Sequence, residues 1–362
     1  MAKFREFLKR KDIHISPKRY GIDALGAMAQ GLFCTLLVGT ILNTLGQMGV
    51  GFLNEIVVTI KQGENTLSYT IGGLASAMVG PGIAVAIGLA LKAPALVLFS
   101  LIPVGFAANA MGGAGGPLAV YFVAIVAVEC GKLVSKETKI DILVTPIVTT
   151  LAGIGIAALI AAPIGKAASA VGEFVEWATI LQPFWMGILV SVSVGIALTL
   201  PISSAAICAA LGLTGLAGGA AVAGCCAQMV GFAVMSFREN RWGGLVAQGI
   251  GTSMLQMPNI IKNPRIWIPP TLCSAVTGPL ATCLFHLEMN GAPVSSGMGT
   301  CGLVGQIGVY TGWVATGHAI TAMDWIGLAL ICFILPGILS WLFALPLRKC
   351  GWIKENDLKL EL

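Results

Sequence analysis

Apolar residues along this chain neither alternate nor form a single helical stripe; they run on in long stretches broken by glycine, proline and short charged loops. A helix needs about 20 mainly apolar residues to cross the hydrocarbon of a bilayer. Eight stretches meet that requirement clearly: 22–48, 69–91, 118–134, 142–164, 184–211, 213–237, 268–289 and 325–347. Three weaker ones, at 94–110, 243–261 and 297–317, are interrupted by proline or glycine. The pattern predicts an all-α polytopic integral membrane protein. Irregular backbone at membrane depth has to be covered by protein or line a water-filled cavity, so the weak stretches are where broken or re-entrant segments are expected.

Charge placement sharpens the count. Seven of the 21 Lys and Arg residues fall in the first 20 positions, and Arg348, Lys349, Lys354 and Lys359 follow the last apolar stretch. By the positive-inside rule both ends belong to the cytoplasm, which requires an even number of crossings. Eleven stretches with one re-entrant piece, assigned to 297–317, give ten transmembrane helices. The chain then divides into a basic arm (1–20), a transmembrane domain (21–347) and a tail (348–362). Phe4, Phe7, Leu8 and Ile15 also suit an amphipathic helix on anionic lipid. One conflict stays open: the scheme puts Arg238 and Arg241 outside. The first apolar run is too long for a cleaved signal peptide and is read as an uncleaved anchor.

Composition excludes other classes. Apolar residues make up 56% of the chain and charged residues 10%, with mean hydropathy +0.89, against about 25% charged in soluble domains. A nucleic-acid-binding face, a disordered chain and a disulfide-stapled module are all ruled out by those numbers. The ten cysteines fall mostly inside apolar runs without any CxxC pair, and the three histidines are far apart in sequence, so no metal or other cofactor is expected.

Glycine is the abundant residue, at 47 positions. The four-residue spacing of Gly80, Ala84 and Gly88, and of Ala220 and Gly224, predicts faces where helices approach closely. Glycine clustered with proline, at 79–82, 112–117 and 278–279, predicts broken helices, the devices by which transporters aim backbone groups at a solute. The two Gly-Pro pairs, each followed by a glycine cluster, hint at two related halves. Gly297, Gly299 and Gly302 spell GxGxxG, but no strand precedes them, so a dinucleotide site is dismissed.

Polar side chains in apolar stretches are the functional signal, since an ionised group at a helix centre costs about 2.5–3.5 kcal/mol on insertion scales. Asn43, Gln47, Gln256, Asn259, Thr300 and Gln306 are the candidate solute-binding residues. The set is rich in amides and poor in charge, which suits a neutral polyhydroxylated solute. Glu55, Glu129, His286 and Glu288 are candidate coupling groups, although Glu129 also stands one turn from Lys132, as an interfacial ion pair would. No nucleophile, base and oxyanion set is visible, and no stand-alone catalysis is expected.

The run Thr252-Ser253-Met254-Leu255-Gln256-Met257-Pro258-Asn259-Ile260-Ile261-Lys262-Asn263-Pro264, with Trp267-Ile268-Pro269-Pro270 and Gly297-Met298-Gly299-Thr300, resembles the phosphotransferase-system EIIC-like membrane permeases. More narrowly it is similar to their perfringolysin-regulator-like branch. Gly131-Lys132-Leu133-Val134-Ser135, Lys139-Ile140-Asp141 and Thr145-Pro146 fit the same family, and the likeness extends from about Tyr20 onward. It implies a permease, often a homodimer, that passes a sugar-like solute to a soluble phosphocarrier subunit, since this chain carries no phosphoacceptor domain of its own. A proton- or Na⁺-coupled transporter of a small organic solute and a solute-sensing membrane regulator stand as alternatives.

Overall fold

The computed structural model describes residues 2–47, 50–62 and 65–360, and they are almost entirely helical. The chain forms two compact units, Met1–Ala167 and Ala168–Leu362. Among the described residues five helical runs are long and apolar enough to cross a membrane: Arg19–Asn43, Ala95–Val134, Asp141–Thr179, Gly215–Met235 and Ala322–Lys349. A bent pair, Ile71–Ala77 with Val79–Ala90, makes a sixth if counted as one span.

The first unit opens with α1 (Ala2–Arg10), followed after a π-turn by α2 (Ala24–Leu32) and α3 (Val38–Gln47). A short antiparallel hairpin, β1 (Val58–Gln62) and β2 (Asn65–Tyr69), comes next and pairs Val58 with Tyr69. It corrects the expectation of helix alone: Ile60 alternates with Thr59 and Lys61, and such a period of two fits a strand. Helices α4 (Ile71–Ala77) and α5 (Val79–Ala90) meet at a bend of 53°. Pro81 explains the bend, because its ring crowds the carbonyl four residues back, at Ala77. Helices α6 (Ala95–Gly112) and α7 (Gly116–Val134) then fold back on each other through Gly113, whose φ is +51°. The glycine face read from sequence is used here: a β-carbon on Gly105 would come within 2.7 Å of Ala84 Cβ.

Helix α8 (Asp141–Thr179) carries the chain into the second unit and runs 15 residues past the predicted end at 164. It continues because its last turns are amphipathic, burying Ala168, Gly172, Val175 and Ala178 while Glu173 and Glu176 stay exposed. The predicted span 184–211 is two helices, α9 (Pro183–Thr199) and α10 (Ser204–Ala210). Pro201 disfavours helix at the residue before it, Leu200 is extended, and Ser203 caps α10 by accepting from the Ala206 N–H at 3.2 Å. Helix α11 (Gly215–Met235) is the axis of this unit, with most of its residues buried. Its small residues admit close neighbours: a β-carbon on Gly195 of α9 would sit 2.8 Å from the Gly224 carbonyl oxygen.

After α11 come α12 (Phe237–Val246), interrupted at Arg241, then a π-turn at 247–251 and a 3₁₀ turn at 253–256, then α13 (Met257–Lys262) and α14 (Ile268–Pro279). Gly278-Pro279 does not break its helix, contrary to expectation; it closes α14, which runs straight on into a π-turn at 280–284. Turns at 293–297 and 301–303 lead into α15 (Val304–Thr316), and α16 (Ala322–Ala329) and α17 (Leu335–Lys349) complete the last span.

In the first unit the arm is fastened by charge. Glu137 is paired with Arg10 and Lys11 at 2.6 Å each, and Asp12 accepts from Arg19 at 2.9 Å. Arg19 and Lys132 both donate to the carbonyl of Leu91, the buried C-cap of α5. Free carbonyls at a helix C-terminus attract cations. The Arg19 hydrogen bond holds the Asp12 carboxyl down at about 2, from an ordinary 3.8, against the opposing effect of its partial burial. The bond therefore contributes fully above pH 3.8 and is lost as pH falls towards 2. Amide exchange of residues 6–13, corrected for intrinsic pH dependence, should stay slow down to about pH 4 and accelerate between pH 4 and 2; Asp12→Asn should show the fast rate at pH 7.

Candidate functional site

Two segments of the second unit double back instead of traversing it. Met235, at one end of α11, accepts a hydrogen bond from Arg348 at 3.0 Å, so this end lies beside the tail. Segment 237–265 leaves from here and returns here. Glu239 and Asn240 contact Arg348 and Leu358 on the way in, and Asn259 and Asn263 contact Lys359 and Trp352 on the way out. Its irregular middle places Ser253 Oγ 2.8 Å from Thr199 Oγ1. Arg238 and Arg241 consequently share an end with Arg348 and Lys359. This differs from the scheme that counted 243–261 as a crossing and set them apart from the tail.

The second such segment starts at the other end of α11, where Gly215 N–H donates to Met289 O at 3.0 Å and to Asn290 Oδ1 at 3.1 Å. From there the chain penetrates to Thr300, whose hydroxyl lies 3.5 Å from Met229 Sδ, and α15 returns it until Gly312 packs on Asn290. At the tip the helix is unwound: Gly299, Gly302 and Leu303 all have φ between +52° and +60°. The tip packs on the π-turn 247–251, so the two segments meet beside α11.

At this meeting point the side chains are polar and buried. Gln306 donates to Cys226 Sγ at 3.2 Å, while its Oε1 is buried with no hydrogen-bond partner. On another face of α11 from Cys226, Gln228, wholly buried, accepts from Trp267 Nε1 at 2.9 Å and lies within 3.5 Å of Thr199, Thr271 and Ser274 hydroxyls. A buried unpaired amide oxygen is costly, and a hydroxylated solute is one group that would satisfy it.

Gln256 and Asn259 belong to a different place, the tail end. Gln256 donates to Gln248 Oε1 at 2.8 Å and to Leu358 O at 3.0 Å; Asn259 donates to Gln256 Oε1 and to Lys359 O, both at 2.9 Å. Asn240 completes a two-way clamp, donating to Leu358 O at 2.7 Å and accepting from Leu360 N–H at 2.8 Å. The amides of the 252–264 run thus hold backbone of residues 352–360, with Ile353 and Leu358 buried as pegs. Asn240 and Asn263 were not read from sequence, because nothing local marks a side chain that binds a segment a hundred residues away. Gln256→Leu would leave Gln248 Oε1 without its donor and take one of the two donors from Leu358 O, at a cost of about 1–3 kcal/mol. Trypsin should then cut after Lys354 several-fold faster than in the parent protein; an unchanged cleavage rate would show that these bonds do not hold the tail.

At the opposite end His286 and Glu288 line a cavity of about 200 Å³ with Asn290, Trp313, His318 and Asp324. Asn290 donates to Glu288 at 2.9 Å and His318 pairs with Asp324 at 3.2 Å. The Thr321 to Asp324 capping box was legible as a motif, though the cavity it borders was not. Asn43, Gln47, Glu55 and Glu129 all belong to the first unit. Asn43 accepts from Thr70, the cap of α4, at 2.7 Å, and Glu55 is exposed. The side chain of Gln47 lies outside the described residues. Glu129 accepts from Tyr20 at 3.0 Å and stands 3.8 Å from Lys132, the pairing its spacing predicted.

The family model of the phosphotransferase system, EIIC, matches the chain over residues 22–360. No curated protein and no solved structure matches the chain. With nearly the whole length covered and apolar helices throughout, the protein is membrane-embedded and belongs to the phosphotransferase system EIIC family, the sugar-permease component of that system.

Proposed function

We propose that the second unit binds and translocates a sugar or sugar-like solute where its two doubled-back segments meet. The observation that carries this reading is the buried, unpaired Gln306 Oε1 beside the unwound turn 299–303. Gln306, Thr300 and the backbone of that turn hydrogen-bond the solute. Both 237–265 and 290–318 are re-entrant segments entering from opposite faces, and all Lys and Arg at the tail end are cytoplasmic, as the positive-inside rule requires. Gln256 and Asn259 act as tail-binding amides, while Asn43 of the first unit accepts from the Thr70 hydroxyl that caps α4.

The setting is the plasma membrane of a bacterium, with both termini inside and a homodimer as the working form. A separate soluble phosphotransferase subunit supplies the phosphoryl group. The perfringolysin-regulator-like branch is supported by the 252–270 run and implies no particular solute. The cavity of titratable groups around His286, Glu288, His318 and Asp324 favours a second reading, an ion-coupled transporter of a small organic solute.

Thermal stability of the protein in detergent distinguishes the two. A ligand at 100 times its Kd stabilises by about 2.7 kcal/mol. A hexose, pentose or polyol should raise Tm, and Gln306→Leu should abolish that shift without lowering the unliganded Tm. Stabilisation by carboxylic acids alone, varying with pH, would favour ion coupling; sugar shifts that survive Gln306→Leu would remove the site proposed here.

A further inference from the structure

A cavity of about 330 Å³ lies at the tail end of the second unit, lined by Arg238, Glu239, Arg241 and Arg348 and by Glu355, Asn356 and Lys359 of the tail. Arg348 is engaged: it donates to Glu239 through both terminal nitrogens at 3.1 Å and to Met235 O at 3.0 Å. Among the described residues the side chains of Arg238, Arg241 and Lys359 form no ion pair and no hydrogen bond. Three uncommitted cations therefore share the cavity with two carboxylates, Glu355 and the Glu239 that Arg348 engages through Oε1. The neighbouring cavity, which shares Asn356 and Lys359 with this one, brings Lys262 to the same rim.

Arg241 has φ +52° and ψ −151°, a backbone conformation that residues other than glycine rarely keep. It interrupts α12 at the point where the two arginines turn to the cavity. Guanidinium groups bind phosphate through paired, charge-assisted hydrogen bonds, and three cations converging from two chain segments are what a doubly charged oxyanion requires. A chloride ion, carrying one charge and no fixed geometry, would engage them less well.

We propose that this cavity is a binding site for a phosphate group, held by Arg238 and Arg241 from α12 and by Lys359 from the tail. Occupancy bridges the tail to α12 and adds to the amide clamp of Asn240, Gln256 and Asn259. The phosphate can belong to a free phosphorylated solute or to an anionic lipid headgroup at the membrane surface. The site stands on charge and geometry alone and does not depend on which solute the permease carries.

The test uses the full chain in an uncharged detergent. Inorganic phosphate is titrated by calorimetry against chloride at matched ionic strength, and retention of phosphatidic acid over phosphatidylcholine from mixed micelles is followed in parallel. Saturable phosphate binding that falls tenfold or more in the Arg238→Gln/Arg241→Gln variant supports the site with a free phosphate as its ligand. Absence of phosphate binding, together with phosphatidic acid retention lost in the same variant, supports it with a lipid headgroup as its ligand. Lys359→Gln, on an exposed tail residue, should weaken whichever is bound by several-fold and serves as the check if the double variant fails to fold. Equal response to phosphate and chloride, binding indifferent to both variants, or no binding of either probe would overturn the proposal.

Discussion

A backbone buried in hydrocarbon has no water to hydrogen-bond, so every exposed N–H and C=O must find a partner within the protein. The second unit of this chain departs from continuous helix at 247–256 and again at 299–303, and each departure is tolerable because the other segment and α11 cover it. The glycine and alanine surface of α11 makes that cover possible. A larger side chain at Gly218 would meet Ser296 Oγ at 3.0 Å, and one at Gly195 would meet the Gly224 carbonyl. Small residues along one helix thus permit two irregular segments to sit at its side, and irregular segments are what present backbone groups to a solute.

The same accounting explains the tail. Amide side chains placed in a buried position need partners, and Gln248, Gln256 and Asn259 satisfy one another in series before ending on carbonyls of residues 358 and 359. With Leu358 wholly buried, the tail is part of the packed unit. In the first unit the basic arm is treated likewise: Lys132 is nearly inaccessible yet satisfied by the Leu91 and Asp12 carbonyls and flanked by two carboxylates. Basic residues that the sequence presents only as a topological signal are, at both termini, also structural fasteners.

Much of this was legible in the residues. Apolar length located the spans at both ends of the chain, four-residue spacing located the close face at Gly80 and Ala84, and the distance from Glu129 to Lys132 foretold their pairing. Hydropathy could not tell a segment that crosses from one that turns back, because 243–261 and a true span have similar composition; only the shared neighbours of Arg241 and Asn263 at the tail separate them. Gly278-Pro279 misled because proline near the end of one helical turn is compatible with the π-turn that follows. The six candidate solute residues fall in three places since a polar residue in an apolar run has two uses: Gln256 and Asn259 tie backbone and Asn43 accepts from the Thr70 hydroxyl, as interhelical amides do.

The central claim is that 237–265 and 290–318 enter the second unit from opposite ends. Single cysteines at Arg241, Lys262, Asn290 and His318, in a background where the exposed Cys34, Cys283 and Cys350 are serine, report it directly through a membrane-impermeant maleimide on sealed vesicles of each orientation. Arg241→Cys and Lys262→Cys should be labelled from one side, and Asn290→Cys and His318→Cys from the other. Labelling of Arg241→Cys and Lys262→Cys from opposite sides would mean that the intervening segment crosses the membrane, and the site built on its turning back would not exist.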